Sequence, residues 1–573
     1  MYGKMHSACL YGIEGVMIGV EIDLANGLPQ THIIGLPDSA IREAVERVRA
    51  AVKNCGYRYP QQRVTINLAP ADLRKEGSAF DLAIALGILT TSGQLVMPSA
   101  GEMLLIGELA LDGSLRPVPG VLPMVEAARK AGFGAVLLPR GNAAEAALIS
   151  GMNIYAADHL SELPKHKLLT EPPKHRNHLD DEHSCSDRST EGMETSSNSS
   201  IGFPVTISVG AGSTASKNPP PVTVICLEHL KYAPQIASHN TVISSTNGME
   251  VDDYSDVIGQ LHVKRALTIA AAGMHNILLI GPPGTGKTML IKRLPGILPP
   301  LSESEALEVT KIFSAAGKLK DAHSGLLRSR PFRSPHHTIS AAGLIGGGGI
   351  PKPGEVSLAH RGLLFLDELP EFSRNVLEVL RQPLEDSVVS ISRARASFTF
   401  PAQFMLACSM NPCHCGFLGS GSPQQRCTCS PSRIAQYRAK ISGPLLDRID
   451  LQVDVPRPKE LDRKGPTLSS TEMRTQVAAA QALQLHRYKD LSISWNSELS
   501  GASLRNFAML GKEESGMLQQ ILESLGLSMR AHDRIIKLAR TIADLDSSAD
   551  ITTAHLAEAV QYRNLDRQAV VEE

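Results

Sequence analysis

The sequence predicts a multidomain α/β protein that ends in a helical domain, on three observations. The run NILLIGPPGTGKTMLIKRL sets a glycine-rich phosphate-binding pattern between an apolar strand and a helix. Strand-like and helix-like stretches alternate through residues 1–165. Residues from about 471 to 562 carry apolar positions at helical spacing.

The chain has 573 residues, 42% of them hydrophobic, enough for about three or four domains with their own cores. A net charge of −1 gives no global attraction to nucleic acid, so any such contact needs a local patch. No apolar run reaches the ~18 residues of a membrane span, and the first residues lack a secretory core. A cytoplasmic protein with no membrane partner is therefore expected. Nine cysteines are too few for a disulfide scaffold in a chain this long.

In residues 1–165, GVMIGVEIDL, RVTINLAP and AVLLPR are expected strands. SAIREAVERVRAAVKNCG is an amphipathic helix with Asp38 or Ser39 as N-cap and Gly56 past its end. FDLAIALGILTTSG and MVEAARKAGFG are further helices. Residues 166–245 are rich in Ser, Pro and Asn with mixed charge, and bury too little apolar surface to offset chain entropy. They read as a flexible low-complexity linker, with FPVTISVG and PVTVICLEHL as its strand-like runs. A second α/β domain covers 246–455, and helices fill 456–573.

Gly281, Pro282, Pro283, Gly284, Thr285, Gly286, Lys287 and Thr288 form the expected phosphate cradle for ATP. The glycines let backbone N–H groups turn toward phosphate oxygens, and the helix start adds its positive end. Lys287 reaches the terminal phosphates and Thr288 ligates Mg²⁺. GLLFLDELPEF ends a buried strand on Asp367, a Mg²⁺ ligand, and Glu368, which polarises water. FMLACSMNP is another apolar strand, and its terminal Asn411 is either a water-orienting amide or a turn residue.

NPCHCGFLGSGSPQQRCTCSPS holds Cys413, Cys415, Cys427 and Cys429. Two readings stand: one tetrahedral Zn²⁺, with His414 as a substitute ligand, or free, redox-labile thiols.

PFRSPHHTIS, LIGGGGIPKPGEVSLAHRGLLFLDELPEF, VLRQPLEDSVVSISR and ISGPLLDRIDL follow the phosphate loop in an order that resembles the Mg-chelatase-like branch of the AAA+ ATPases. The resemblance implies a P-loop α/β core at 246–455 and a helical lid at 456–573. It implies an arginine finger, Arg448, that enters the neighbouring subunit's site, and hence a homo-hexameric ring. The SMR of the lid resembles the second sensor, Arg530, acting in cis or in trans.

The long segment between Lys287 and Asp367 has room for an insert that, in this branch, faces the ring pore. Arg328, Arg330, Arg333 and Lys352 are basic candidates there, and His336 and His337 either line the pore or pack locally. SVVSISRARASFTF reads as a β-hairpin with Arg393 and Arg395 on one face. These cations either contact DNA phosphates or form a solvated face. Aromatic residues make up 4% of the chain and are not interleaved with them, which favours backbone tracking over base stacking.

KEGSAFDLAIAL and GELALDGSLRPVPGVLPMVEAARKAGFGAVLLPR resemble the proteolytic domain of Lon proteases, a ribosomal S5 domain 2-like fold. The first carries Ser78 where that family has its nucleophile. In the second, Met124 fills the catalytic-lysine position, and Lys130 lies at another angle of the helix. A serine without a base is a poor nucleophile, so Ser78 is expected to start a helix and the domain to be proteolytically inactive. A Lon-like domain before a Mg-chelatase-like module resembles the ComM-type, YifB-like ATPases. That resemblance implies a ring motor, fuelled by Mg-ATP, acting on branched or single-stranded DNA during natural transformation. The alternatives are a chelatase-like remodeller of a protein partner and an ATP-binding scaffold.

Overall fold

The computed structural model describes residues 1–97, 100–164, 223–225, 227–233, 252–319, 325–348, 351–393, 396–419, 426–457, 467–526 and 528–563. It is a mixed α/β, multidomain architecture of two large sheets, several two-stranded pairs and packed helices.

The N-terminal sheet has seven strands in the order Asn153–Ala157, Ala135–Pro139, Met103–Leu105, Tyr2–Tyr11, Glu14–Ala25, Arg63–Ala69, Gln30–Ile34. Tyr2–Tyr11 and Glu14–Ala25 form an antiparallel hairpin at its centre. Ile18, Val20, Ile22 and Leu24 alternate into the core, as period-2 spacing requires. The expected helices form at Ser39–Asn54, Asp81–Thr91 and Val121–Lys130. Asp38 caps the first, accepting from the Ile41 N–H at 2.8 Å. Asp81–Thr91 is apolar on nearly every side and is buried on nearly every side. Val121–Lys130 lies on the other face, so close that a Cβ at Gly15 would stand 2.4 Å from the Pro123 carbonyl oxygen.

Within the expected linker, the strand-like run PVTVICLEHL does contain a short strand. Thr223–Val224 pairs in parallel with Leu95–Val96, and Ile225 and Leu230 are buried in the N-terminal core. Three or four apolar side chains in a polar stretch are enough to dock it. FPVTISVG and most of 166–245 lie outside the described residues.

The second sheet is five-stranded and all parallel, in the order Phe332–Arg333, Leu363–Leu366, Met405–Met410, Ile277–Ile280, Leu451–Asp454. Its central strands are buried along their whole length and apolar but for Ser409, the signature of strands covered on both faces. This order puts the phosphate-loop strand beside the strand that ends near Asn411.

The C-terminal helices Ser470–Arg487 and Met529–Leu545 pack on helix Leu261–Gly273, and Thr553–Gln561 packs on Met529–Leu545. One continuous apolar cluster runs from Leu279 and Leu451 through Leu267 to Ile542 and Leu556. Arg534 adds an ion pair to Asp450 at 2.6 Å, and Arg265 one to Glu558 at 3.0 Å.

The two sheets are joined by contacts of their own. Lys311 pairs with Glu126 at 2.5 Å, and the Ser314 hydroxyl donates to Glu145. The Tyr11 ring packs on Phe398 with centroids 4.6 Å apart.

Candidate nucleotide site

Three strand ends converge on the glycine loop. The loop turns with Gly284 at φ +78° and Gly286 at φ +85°, a left-handed conformation that glycine adopts without strain. Lys287 is nearly buried. Its Nζ donates to the carbonyls of Gly281 at 2.7 Å and Pro282 at 3.0 Å, and to Asn411 Oδ1 at 3.2 Å. Burial pulls the ammonium's pKa down, and Asp367 and Glu368 push it back up. The Thr288 hydroxyl donates to Asp367 Oδ2 at 2.9 Å, the two groups a magnesium ion would bridge. Pro283, Gly284, Thr285, Gly286, Lys287, Thr288, Asp367, Glu368 and Asn411 all line one cavity of about 360 Å³. Residues far apart in the chain are thus gathered by adjacent parallel strands.

Ser409 escapes the sequence reading, and His337, expected to line the pore or pack locally, lies beside Glu368. The Ser409 hydroxyl donates to Asp367 Oδ1 and accepts from the Glu368 N–H at 3.3 Å. It lies two residues before Asn411 on the same strand, so period-2 spacing is the signal that finds it. His337 Nδ1 stands 4.0 Å from Glu368 Oε2, with its ring 4.1 Å from that of His336. The pair packs locally, and one member faces the Glu368 carboxylate.

Arg448 and Arg530 lie elsewhere. They line a separate cavity of about 160 Å³ with Glu385, Asp447, Asp533 and Arg534. Arg448 is held by Glu385 and by the Pro444 carbonyl at 2.6 Å. Neither arginine lines the phosphate cavity of its own chain.

The four cysteines converge. Cys413 Sγ lies 3.4 Å from Cys415 Sγ and 3.7 Å from Cys427 Sγ, Cys415 lies 3.6 Å from Cys427, and all four sulfurs fall within 4.8 Å of one another. A tetrahedral thiolate site with Zn–S near 2.3 Å needs sulfurs about 3.8 Å apart. The donor set fits zinc, and the CxC spacing brings both members of each pair to one point. His414 is exposed and not among the converging ligand atoms.

Comparison with known proteins agrees with this geometry. The family profile described as "Magnesium chelatase, subunit ChlI" matches residues 253–462, and its C-terminal counterpart matches 467–563. A third, "Subunit ChlI of Mg-chelatase", matches 20–142. The competence protein ComM of Haemophilus influenzae is 38% identical over 568 residues, covering 98% of this chain and 97% of that protein. The uncharacterized protein YifB of Escherichia coli K12 is 40% identical over the same span. The chain belongs to the Mg-chelatase-like ATPases of the ComM/YifB type. The 38 kDa magnesium-chelatase subunit of Rhodobacter capsulatus is 24% identical and covers 53% of this chain. The Mg-chelatase family is one of AAA+ ATPases, for which ATP and Mg²⁺ are the cofactors. Because a chelatase-subunit profile also matches 20–142, the N-terminal region does not by itself separate the ComM/YifB type from the chelatases.

Against this ComM/YifB background the basic candidates divide. Lys352 and Arg393 are exposed and meet at one edge: Lys352 pairs with Gly347, and Arg393 donates to the Gly348 carbonyl at 3.4 Å. Arg328 is also exposed, and Arg333 is half-buried on Glu355 at 2.6 Å. Arg330 is a correction. It is 7% exposed, donates to the carbonyls of Pro299 and Arg361, pairs with Glu305 and stacks on Trp495, so it ties elements together and offers no cation to a phosphate. Arg395 lies outside the described residues. The expected hairpin forms, as Val388–Arg393 against Ala396–Pro401.

Ser78 is a second correction. The helix begins at Asp81 with Phe80 at the cap position, and the Ser78 hydroxyl donates to Glu108. Met124 is buried, and Lys130 pairs with Glu126 at 3.2 Å. Ser78 thus has a carboxylate partner that Arg116 also approaches at 3.7 Å.

Proposed function

We propose that this protein is an ATP-driven ring motor that moves on branched or single-stranded DNA. The observation that carries it is the division of the machinery. One cavity holds the loop, Lys287, Thr288, Asp367, Glu368 and Asn411, while Arg448 and Arg530 line another. A nucleotide in the first cavity meets these arginines only when a neighbour presents them, so a closed ring completes every site. Arg530 then acts in trans beside Arg448.

In this reading Thr288 and Asp367 would hold Mg²⁺, whose charge would offset that of the terminal phosphates. Lys287 moves from the loop carbonyls to the phosphates. Glu368 takes the proton of the attacking water, and Asn411 orients that water. The neighbour's Arg448 leaves Glu385 and stabilises charge on the transferring phosphoryl group. The hairpin Val388–Pro401 and the neighbouring insert carry Arg393 and Lys352 toward DNA phosphates. The four thiolates hold one structural Zn²⁺. Residues 1–165 serve as a Lon-like domain without protease activity, since among the described residues the Ser78 hydroxyl is bonded to Glu108 and to no lysine.

Nearly full-length identity to the competence protein of Haemophilus influenzae supports the DNA reading over remodelling of a protein partner. The test is ATP turnover and branch migration on four-way and forked DNA, with Lys287→Ala as control. Stimulation by junctions with migration is expected. Turnover that ignores all DNA favours the protein-partner reading, and absent turnover the scaffold.

A further inference from the structure

The cysteine cluster sits against the phosphate loop. Cys413 is two residues past Asn411, whose amide touches Lys287 at 3.2 Å. The turn that follows closes with the Gly416 N–H donating to the Cys413 carbonyl at 3.0 Å. That turn holds Cys415 and lies directly on the loop: a Cβ at Gly416 would stand 2.8 Å from Pro283 Cδ and 3.9 Å from Asn411 Cγ. Pro283 and Asn411 both line the nucleotide cavity. The second cysteine pair leads into helix Pro431–Arg438. The Tyr437 hydroxyl of that helix reaches the Asn411 backbone, and its ring stands 6.3 Å from His414.

The sulfurs therefore join two segments that both touch Asn411. As thiols they offer each other weak contacts, and as thiolates they repel. A metal ion turns the same four groups into a cross-link and closes the loop between the pairs.

We propose that zinc at Cys413, Cys415, Cys427 and Cys429 clamps the phosphate loop through Gly416 and Pro283, so that zinc occupancy sets nucleotide affinity. This rests on the zinc reading of the four thiolates. Linkage makes the coupling reciprocal: bound nucleotide retains zinc by the factor with which zinc retains nucleotide.

The test has separate arms on the full-length protein, purified without chelator. Metal analysis is expected to find one zinc per chain, and Co²⁺ exchange to give the ligand-field spectrum of a tetrahedral thiolate site. Less than half an equivalent, with no such spectrum, overturns the zinc reading and the clamp together. Equilibrium binding of a fluorescent ATP analogue is expected to weaken about tenfold in Cys427→Ser/Cys429→Ser. Gly416→Ala keeps all four ligands but puts a side chain at φ +83° in the turn that holds Cys415, so its zinc is measured first; with one zinc retained, it is expected to lose affinity for the analogue. Zinc transfer to a colorimetric chelator is expected to slow when ATP is present, and not in Lys287→Ala. If the double serine variant does not fold, the Gly416→Ala and zinc-transfer arms decide. One zinc per chain with unchanged analogue affinity in Gly416→Ala and ATP-independent zinc transfer overturns the clamp and leaves the zinc site standing.

Discussion

Glu368 holds its backbone at φ +53°, a left-handed conformation that costs a non-glycine residue on the order of 1 kcal/mol. The strand ends at Leu366, and this turn aims the carboxylate into the cavity beside Asp367. Glu368→Gln keeps size and polarity but cannot take a proton. It is expected to bind ATP normally and lose at least about 100-fold in turnover, read by nucleotide binding and phosphate release. Unchanged turnover would remove Glu368 from its role. Ser409→Ala takes the hydroxyl donor from Asp367 Oδ1, leaves it the Glu368 N–H at 3.2 Å, and is expected to raise the Mg²⁺ requirement about tenfold with a smaller change in kcat. The loop and the acidic pair were legible because their chemistry is written in contiguous residues. Ser409 was not, because it meets Asp367 only through strand pairing, and the fold-back that sets His337, named as a pore or packing residue, beside Glu368 leaves no local mark. Arg330 misled for the converse reason: a cation in a basic stretch looks free until Pro299, Glu305 and Trp495 surround it.

The elements most securely read were those with strong period. Ser39–Asn54 and Met529–Leu545 follow their apolar spacing, and the apolar runs at 277–280 and 363–366 became central strands. What period alone does not convey is that the C-terminal helices share a core with helix Leu261–Gly273. Asp450 marks this seam, accepting from Arg534 at 2.6 Å and from the Asn276 N–H at 3.0 Å. Burial pushes its carboxyl up, but Arg534 and His275 outweigh that and hold it well below its ordinary value of 3.8. A depressed carboxyl contributes stability that is full above its unfolded value and is lost as pH falls through the folded one. Asp450→Asn leaves Arg534 unpaired and is expected to cost about 3 kcal/mol at neutral pH. In denaturant titrations the gap between variant and wild type should narrow below about pH 4. A gap that stays constant with pH would contradict this role.

At the scale of the molecule, the N-terminal sheet is fastened to the ATPase core at two places. Helix Val121–Lys130 meets helix Glu303–Ala315 through Glu126 and Lys311, and Tyr11 braces the hairpin through Phe398. Burial raises the Glu126 carboxyl, while Lys311 and Lys130 more than offset it. Tyr11→Ala removes a ring pair worth about 1 kcal/mol. It is expected to speed amide exchange in Val388–Arg393 and Ala396–Pro401 while leaving the N-terminal sheet protected. Such contacts join residues hundreds of positions apart and leave no mark in local sequence, whereas the ring itself was implied by a single arginine motif. In the proposed ring, each nucleotide site is finished by the next subunit. Lys287→Ala and Arg448→Ala variants, each inactive alone, test this when mixed at equal concentration. Random assembly pairs an intact loop with an intact neighbouring arginine at about one site in four, so about a quarter of wild-type turnover should return. If the mixture stays as inactive as its parts, or if Arg448→Ala alone turns over ATP normally, the sites are not shared.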